Sequence, residues 1–232
     1  MTLVEICVED VAGARAAEAC GADRVELCAD LLEGGITPSL GMIGTTLAAV
    51  SRIGVHVLVR PRGGDFVYDA DEVASMLADI AAIRRLPTRV PVGFVVNALT
   101  EDGRIDEVVT SRLVAASGDA SITFSRAFDE VVDQPAALDV LVRLGLHRVL
   151  TGGGRGPAAA HHEELRALVR HAGTRIGVLA AGGVRALNVA ELVESTGVRE
   201  VHLRAPADEG GRSRTSAAGI TAVLDALGRS AG

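Results

Sequence analysis

A chain of 232 residues, 48% hydrophobic and only 2% aromatic, can bury a sizeable core, which Val, Leu, Ile and Ala must fill. Its formal net charge of −7 argues against the non-specific nucleic-acid binding of a basic protein. All 23 basic residues are arginine, which excludes imine-forming aldolases, lysine-linked pyridoxal phosphate chemistry and P-loop nucleotide binding, since each needs a lysine amine.

The first predicted strand is LVEIC (3–7), followed by a helix near 10–20 that Gly21 ends. Cys20 falls in that helix and is expected to be buried structure. RVELC (24–28) is the second strand, and an acidic glycine-bearing loop leads from it to a helix near 39–51 that opens at Pro38-Ser39. VHVLVR (55–60) precedes a helix near 70–85, with Asp69 as its N-cap. VGFVVN (92–97) precedes a helix near 104–117 closed by Gly118. SITFSR (121–126) precedes a helix near 133–144, capped by Asp133 and followed by Gly145. RVLT (148–151) leads to a helix near 157–171 ended by Gly173, and IGVLA (176–180) to one near 186–195 ended by Gly197. EVHLR (200–204) leads to a last helix near 213–228, with Ser213 as the expected cap.

Eight strand–helix units over 232 residues, about 29 residues each, are the arithmetic of a (β/α)8 TIM barrel in a single domain over 1–232. A doubly wound open sheet is the alternative, but the segment after the first strand, CVEDVAGA, lacks its G-x-G-x-x-G turn. Barrel strands alternate between the interior and the outer helices. Val4 and Ile6 then face the helices while Glu5 and Cys7 face inward; Val25 and Leu27 oppose Glu26 and Cys28. Val55, Val57 and Val59 oppose His56, Leu58 and Arg60; Ile122 and Phe124 oppose Thr123 and Ser125; Val201 and Leu203 oppose His202 and Arg204. The polar set gathers toward the strand C-termini, where barrel enzymes keep their sites. Glu5, Glu26, Asp65 and Asp129 offer acid–base groups there, and Arg60, Arg62, Arg126, Arg204 and His202 supply positive charge. The loops GGGRG (152–156) and AGGVR (181–185) place Gly152, Gly153, Gly182 and Gly183 where backbone N–H groups can take a phosphate. These residues suit an enzyme acting on a small phosphate- or carboxylate-bearing metabolite. Glu5, Glu26, Arg60 and Arg126 also suit a purely structural charge network.

The stretches LVEICV (3–8), GADRVELC (21–28), EGGITPS (33–39), RPRGGDFVY (60–68), TFSRAFD (123–129), RVLTGG (148–153) and EVH (200–202) resemble the CutC family of copper homeostasis proteins. The family fold is a (β/α)8 barrel. The resemblance implies Cu(I) as the ligand, with Cys7 and Cys28 matching the family's cysteines, and it points to a homodimer or higher homo-oligomer. Cu(I) is soft and prefers thiolate sulfur, and neighbouring strands lie ~4.8 Å apart. Two positions depart from the family pattern. Ser125 stands where the family has histidine, and Arg204 follows His202-Leu203 where the family ends its strand in small hydroxyl residues. Three cysteines make no disulfide framework, MTLVEICVED carries no basic stretch before a long apolar run, and no uncharged run approaches the ~20 residues of a membrane span. A cytoplasmic location with reduced thiols and no membrane partner is expected.

Overall fold

Eight short strands rich in Val, Ile and Leu close into an all-parallel barrel in the order β1 to β8. The computed structural model describes residues 1–209 and 212–229. The strands are β1 (Leu3–Val8), β2 (Arg24–Leu27), β3 (Gly54–Leu58), β4 (Val92–Val96), β5 (Ser121–Phe124), β6 (Arg148–Thr151), β7 (Gly177–Ala180) and β8 (Glu200–Leu203). Helices α1 (Val11–Cys20), α2 (Leu40–Ala49), α3 (Ala70–Ile83), α4 (Glu107–Ser117), α5 (Gln134–Arg143), α6 (His162–Ala172), α7 (Val189–Thr196) and α8 (Ala217–Ala226) pack outside. The (β/α)8 expectation is met.

Local chemistry sets the helix starts. Asp69 accepts from the backbone of Asp71 and Glu72, and Glu72 reaches back to the Asp69 N–H, a full capping box. Asp133 accepts from Ala136 N at the start of α5. Ser213 does not cap the last helix. It lies in β10 (Arg212–Thr215), which pairs antiparallel with β9 (Pro206–Glu209), and Ser216 caps α8 by accepting from Gly219 N. The helix expected near 157–171 begins later, because Pro157 leads first into a 3-10 turn over Ala158–Ala160. Cys20 is half-buried rather than buried, with its sulfur 3.6 Å from the Ala217 carbonyl in α8.

The alternation of side chains divides the core. Val4, Ile6, Val25, Leu27, Val55, Val57, Ile122, Phe124, Val201 and Leu203 join the helices in one outer cluster. Inside the barrel, Cys7, Cys28, Leu58 and Val95 form a second cluster, and Leu150, Leu179 and Ala181 a third. Beneath these lies a charged floor. Arg24 pairs with Glu5, and its Nη2 lies 2.7 Å from Glu200, which also accepts from Arg148 Nε at 2.9 Å. His56 fills the space beside this network. It requires glycine opposite, since a Cβ on Gly93 would lie 2.5 Å from the His56 ring.

Burial holds His56 down to about 3, against the pull of Glu5, with Arg24, Arg148 and His147 acting in the same direction as burial. Unfolding frees an imidazole that takes up a proton below about pH 6.5. The folded form cannot match this uptake, so stability is lost as pH falls from about 6.5 toward 3. In urea denaturation the wild type is expected to lose about 2 kcal/mol more than His56→Leu between pH 7 and pH 5. Parallel pH profiles for the two proteins would contradict a neutral buried His56.

Candidate functional site at the barrel mouth

Three neighbouring strands bring the inward polar residues together. In the β1–β2 register Cys7 stands opposite Glu26, two residues before Cys28, and in the β1–β8 register Glu5 stands opposite His202. The Cys7 and Cys28 sulfurs lie 3.6 Å apart, and both residues are buried. One ligand atom each from Cys7, Glu26 and His202 lies within 4.8 Å of the others. His202 Nδ1 donates to Glu5 Oε1 at 2.7 Å, which leaves Nε2 facing Glu26 Oε2 at 3.4 Å. A carboxylate behind the far ring nitrogen is the arrangement that orients a metal-binding histidine. Leu31, Leu58 and Val95 make the remaining wall apolar.

The charges are arranged by burial and contact. Burial pushes Glu5 up, but the His202 hydrogen bond and the Arg24 charge more than reverse this and hold it well below the usual carboxylate range. Burial raises Glu26 to about 7 against the opposing charge of His202. Burial pulls His202 down, yet the contacts with Cys7 and Glu5 and the charge of Glu26 outweigh it and push the ring well above its ordinary value. The hydrogen bond with Cys28 and then burial push the Cys7 thiol up.

Above this cluster opens a cavity of about 260 Å³, lined by Cys7, Cys28 and Glu26 from one side and by Asn97, Arg126 and Arg185 from others. Arg60, His202, Arg204, Gly182 and Gly183 also line it. Arg60 is buried and spends its guanidinium on backbone: Nη1 donates to the Glu33 and Gly35 carbonyls and Nη2 to Gly64. The guanidinium lies 4.6 Å over the Phe66 ring. Arg126 Nε donates to Asp129 Oδ2 at 2.8 Å and Nη2 to the Gly156 carbonyl at 3.0 Å. Asp129 is buried and braces the loop after β6, accepting from Thr151 Oγ1 and from Gly152 N. Gly152 and Gly182 make room for Arg126, since a Cβ on either would lie within 3.4 Å of its Nη2. Gly153 has its backbone N–H on Thr151 Oγ1. Arg204 Nη2 lies 3.4 Å from Glu9. Arg62 and Asp65 pair with each other, Arg62 pairs also with Glu72, and neither lines the cavity. Ser125 lines it, and its hydroxyl accepts from Ala127 N to start a 3-10 turn. No helix among the described residues is long and apolar enough to cross a membrane.

The structure thus joins Cys7, Glu26 and His202 in one cluster, adds Cys28 through its contact with Cys7, sets Glu5 behind His202, and separates Arg62 and Asp65 from it. Two contributors escaped the sequence reading. Arg24 is the ion partner of Glu5, and it lies on the face that alternation gives to Glu26 and Cys28. Arg185 reaches the cavity from a loop, where no periodicity marks it.

The CutC family model matches residues 2–207. A family protein CutC of Mesorhizobium japonicum is 49% identical over 208 residues, covering 90% of this chain and 79% of that protein. The copper homeostasis protein cutC homolog of Homo sapiens is 41% identical over 224 residues, covering 96% of this chain and 81% of that one. The crystal structure of CutC from Streptococcus agalactiae matches with a TM-score of 0.82 at 34% identity, over 87% of this chain and 98% of that one. Phosphoribosyl anthranilate isomerase from Thermococcus kodakaraensis matches at TM-score 0.62 and 16% identity, over 98% of this chain and 99% of that one, a likeness of fold alone.

Proposed function

The chain belongs to the CutC family of copper homeostasis proteins, and from that premise we propose that it binds Cu(I) at the barrel mouth through Cys7 and Cys28, with His202 as a third ligand. The observation that carries this reading is the meeting at Cys7 of a second thiol, from Cys28, with ligand atoms from His202 and Glu26. The two thiols lie 3.6 Å apart, and His202 and Glu26 offer atoms within 4.8 Å of the Cys7 sulfur. The donor set suits the ion. Thiolate sulfur is soft, the wall is apolar, and Glu5 orients the imidazole.

The sulfur separation favours a bent site over a linear one. Two metal–sulfur bonds of ~2.3 Å in line would span ~4.6 Å, well beyond the 3.6 Å between these thiols. A bent S–Cu–S unit leaves its open side to a third donor, and His202 Nε2 faces that space. Two thiolates on one Cu(I) carry net negative charge, and Glu26 can shed that conflict by keeping its proton, since burial already raises it to about 7.

X-ray absorption at the copper edge of the Cu(I)-loaded protein tests this coordination. The expected first shell holds two sulfurs and one nitrogen. A first shell of nitrogen and oxygen only would contradict it.

A further inference from the structure

We infer that the mouth cavity carries an anion subsite beside the thiols, which takes the carboxylate or phosphate group of a small metabolite on Asn97, Arg60 and Arg126. Two buried donors on its wall have no acceptor among the described residues. Asn97 is fully buried and its Nδ2 has no hydrogen-bond partner, and Arg60 is 5% exposed with its Nε in the same condition. Both residues line the cavity. A buried N–H left without an acceptor costs about 1–3 kcal/mol, more on a charged group. A bound oxygen atom removes that cost.

The amide is held in place for this role. Tyr68 donates its hydroxyl to Asn97 Oδ1, which fixes the side chain and leaves the NH2 group without an acceptor. Charge points the same way. The contacts of Arg60 are backbone carbonyls, the Phe66 ring and the Tyr68 hydroxyl, and its nearest carboxylate influence is the exposed Asp65, with no carboxylate among the described residues within ion-pair distance. A buried cation with no carboxylate in direct contact favours an anionic ligand. Arg126 adds a second guanidinium to the lining of the cavity; its contacts with Asp129 and Gly156 engage two of its five N–H groups. A carboxylate or phosphate offers several acceptor oxygens, which suits a fork of guanidinium and amide donors better than a neutral ligand does. The Glu26 and His202 side chains line the same cavity, so a molecule held by its anionic group lies against an acid–base pair.

Calorimetric titration of the metal-free protein with malonate and, separately, with inorganic phosphate tests the subsite. Asn97→Asp keeps the volume and the acceptor for Tyr68 while replacing the NH2 donor with a carboxylate oxygen. The wild type and Cys7→Ser/Cys28→Ser are expected to bind at least one probe saturably, one to one, and Asn97→Asp at least tenfold more weakly. The probe that binds distinguishes carboxylate from phosphate recognition. Arg126→Gln, at a side chain 41% exposed, is expected to show the same tenfold loss and stands in should Asn97→Asp misfold. No saturable binding of either probe, equal binding by the variants and the wild type, or loss of binding in the cysteine variant alone would each overturn the subsite. Because no metal is present, failure of the Cu(I) reading leaves this outcome untouched.

Discussion

Methionine in place of Arg24 is expected to lower stability by about 3–5 kcal/mol, measured by urea denaturation at pH 7. Arg24 is 7% exposed and Glu5 1%, so neither charge has ready access to water. Their ion pair, with the second contact from Arg24 to Glu200, compensates a carboxylate that sits at the bottom of a closed barrel. Removing the guanidinium leaves Glu5 charged and buried, with only His202 and the distant edge of His56 to answer it. The loss should shrink in the double variant Arg24→Met/Glu5→Gln, because the stranded charge goes with its partner. A coupling of about 0.5–3 kcal/mol between the two sites is the expected range for residues in contact. A single-variant loss below about 1 kcal/mol would place the floor network in the class of screened surface pairs and contradict its role.

Each element is legible in the sequence to the extent that it is periodic. Eight repeats of an apolar run and a helical stretch specified the barrel, and the two-residue alternation specified which side chains enter it. The inner cluster of Cys7, Cys28, Leu58 and Val95 follows from that rule alone. The same rule, read back toward the strand N-termini, also puts Arg24, Arg148 and Glu200 inside. Arg24 shares a face with Glu26, Arg148 with Leu150, and Glu200 with His202. The floor network was therefore legible in the strand alternation. Other contacts had no such signal. Arg60 alternates inward as expected, but its use as a clamp on three loop carbonyls depends on the path of the chain after β2 and β3. Asp129 looks like an acid–base group in TFSRAFD, yet a turn aims its carboxylate at the Gly152 backbone. The antiparallel pairing of β9 with β10 displaced the last helix start from Ser213 to Ser216, because nothing in the periodicity of ADEGGRSRT separates a helix cap from a short strand.

The Cu(I) reading makes the second large prediction. Serine at both Cys7 and Cys28 keeps small side chains in the inner cluster while replacing two soft donors with hard ones. Changes behind a metal ligand cost about 10–100-fold in affinity, and loss of both thiolates is expected to exceed that, to about a thousandfold or more. Loading must displace the Cys7 proton, which Cys28 and burial hold in place, so wild-type affinity is expected to rise with pH. The direct measurement is an anaerobic competition titration of Cu(I) against a chromogenic chelator, run on wild type and on Cys7→Ser/Cys28→Ser. One equivalent bound tightly by the wild type and lost by the variant is the predicted result; equal and weak binding by both would mean that the thiols only fill the barrel, and would contradict the metal site.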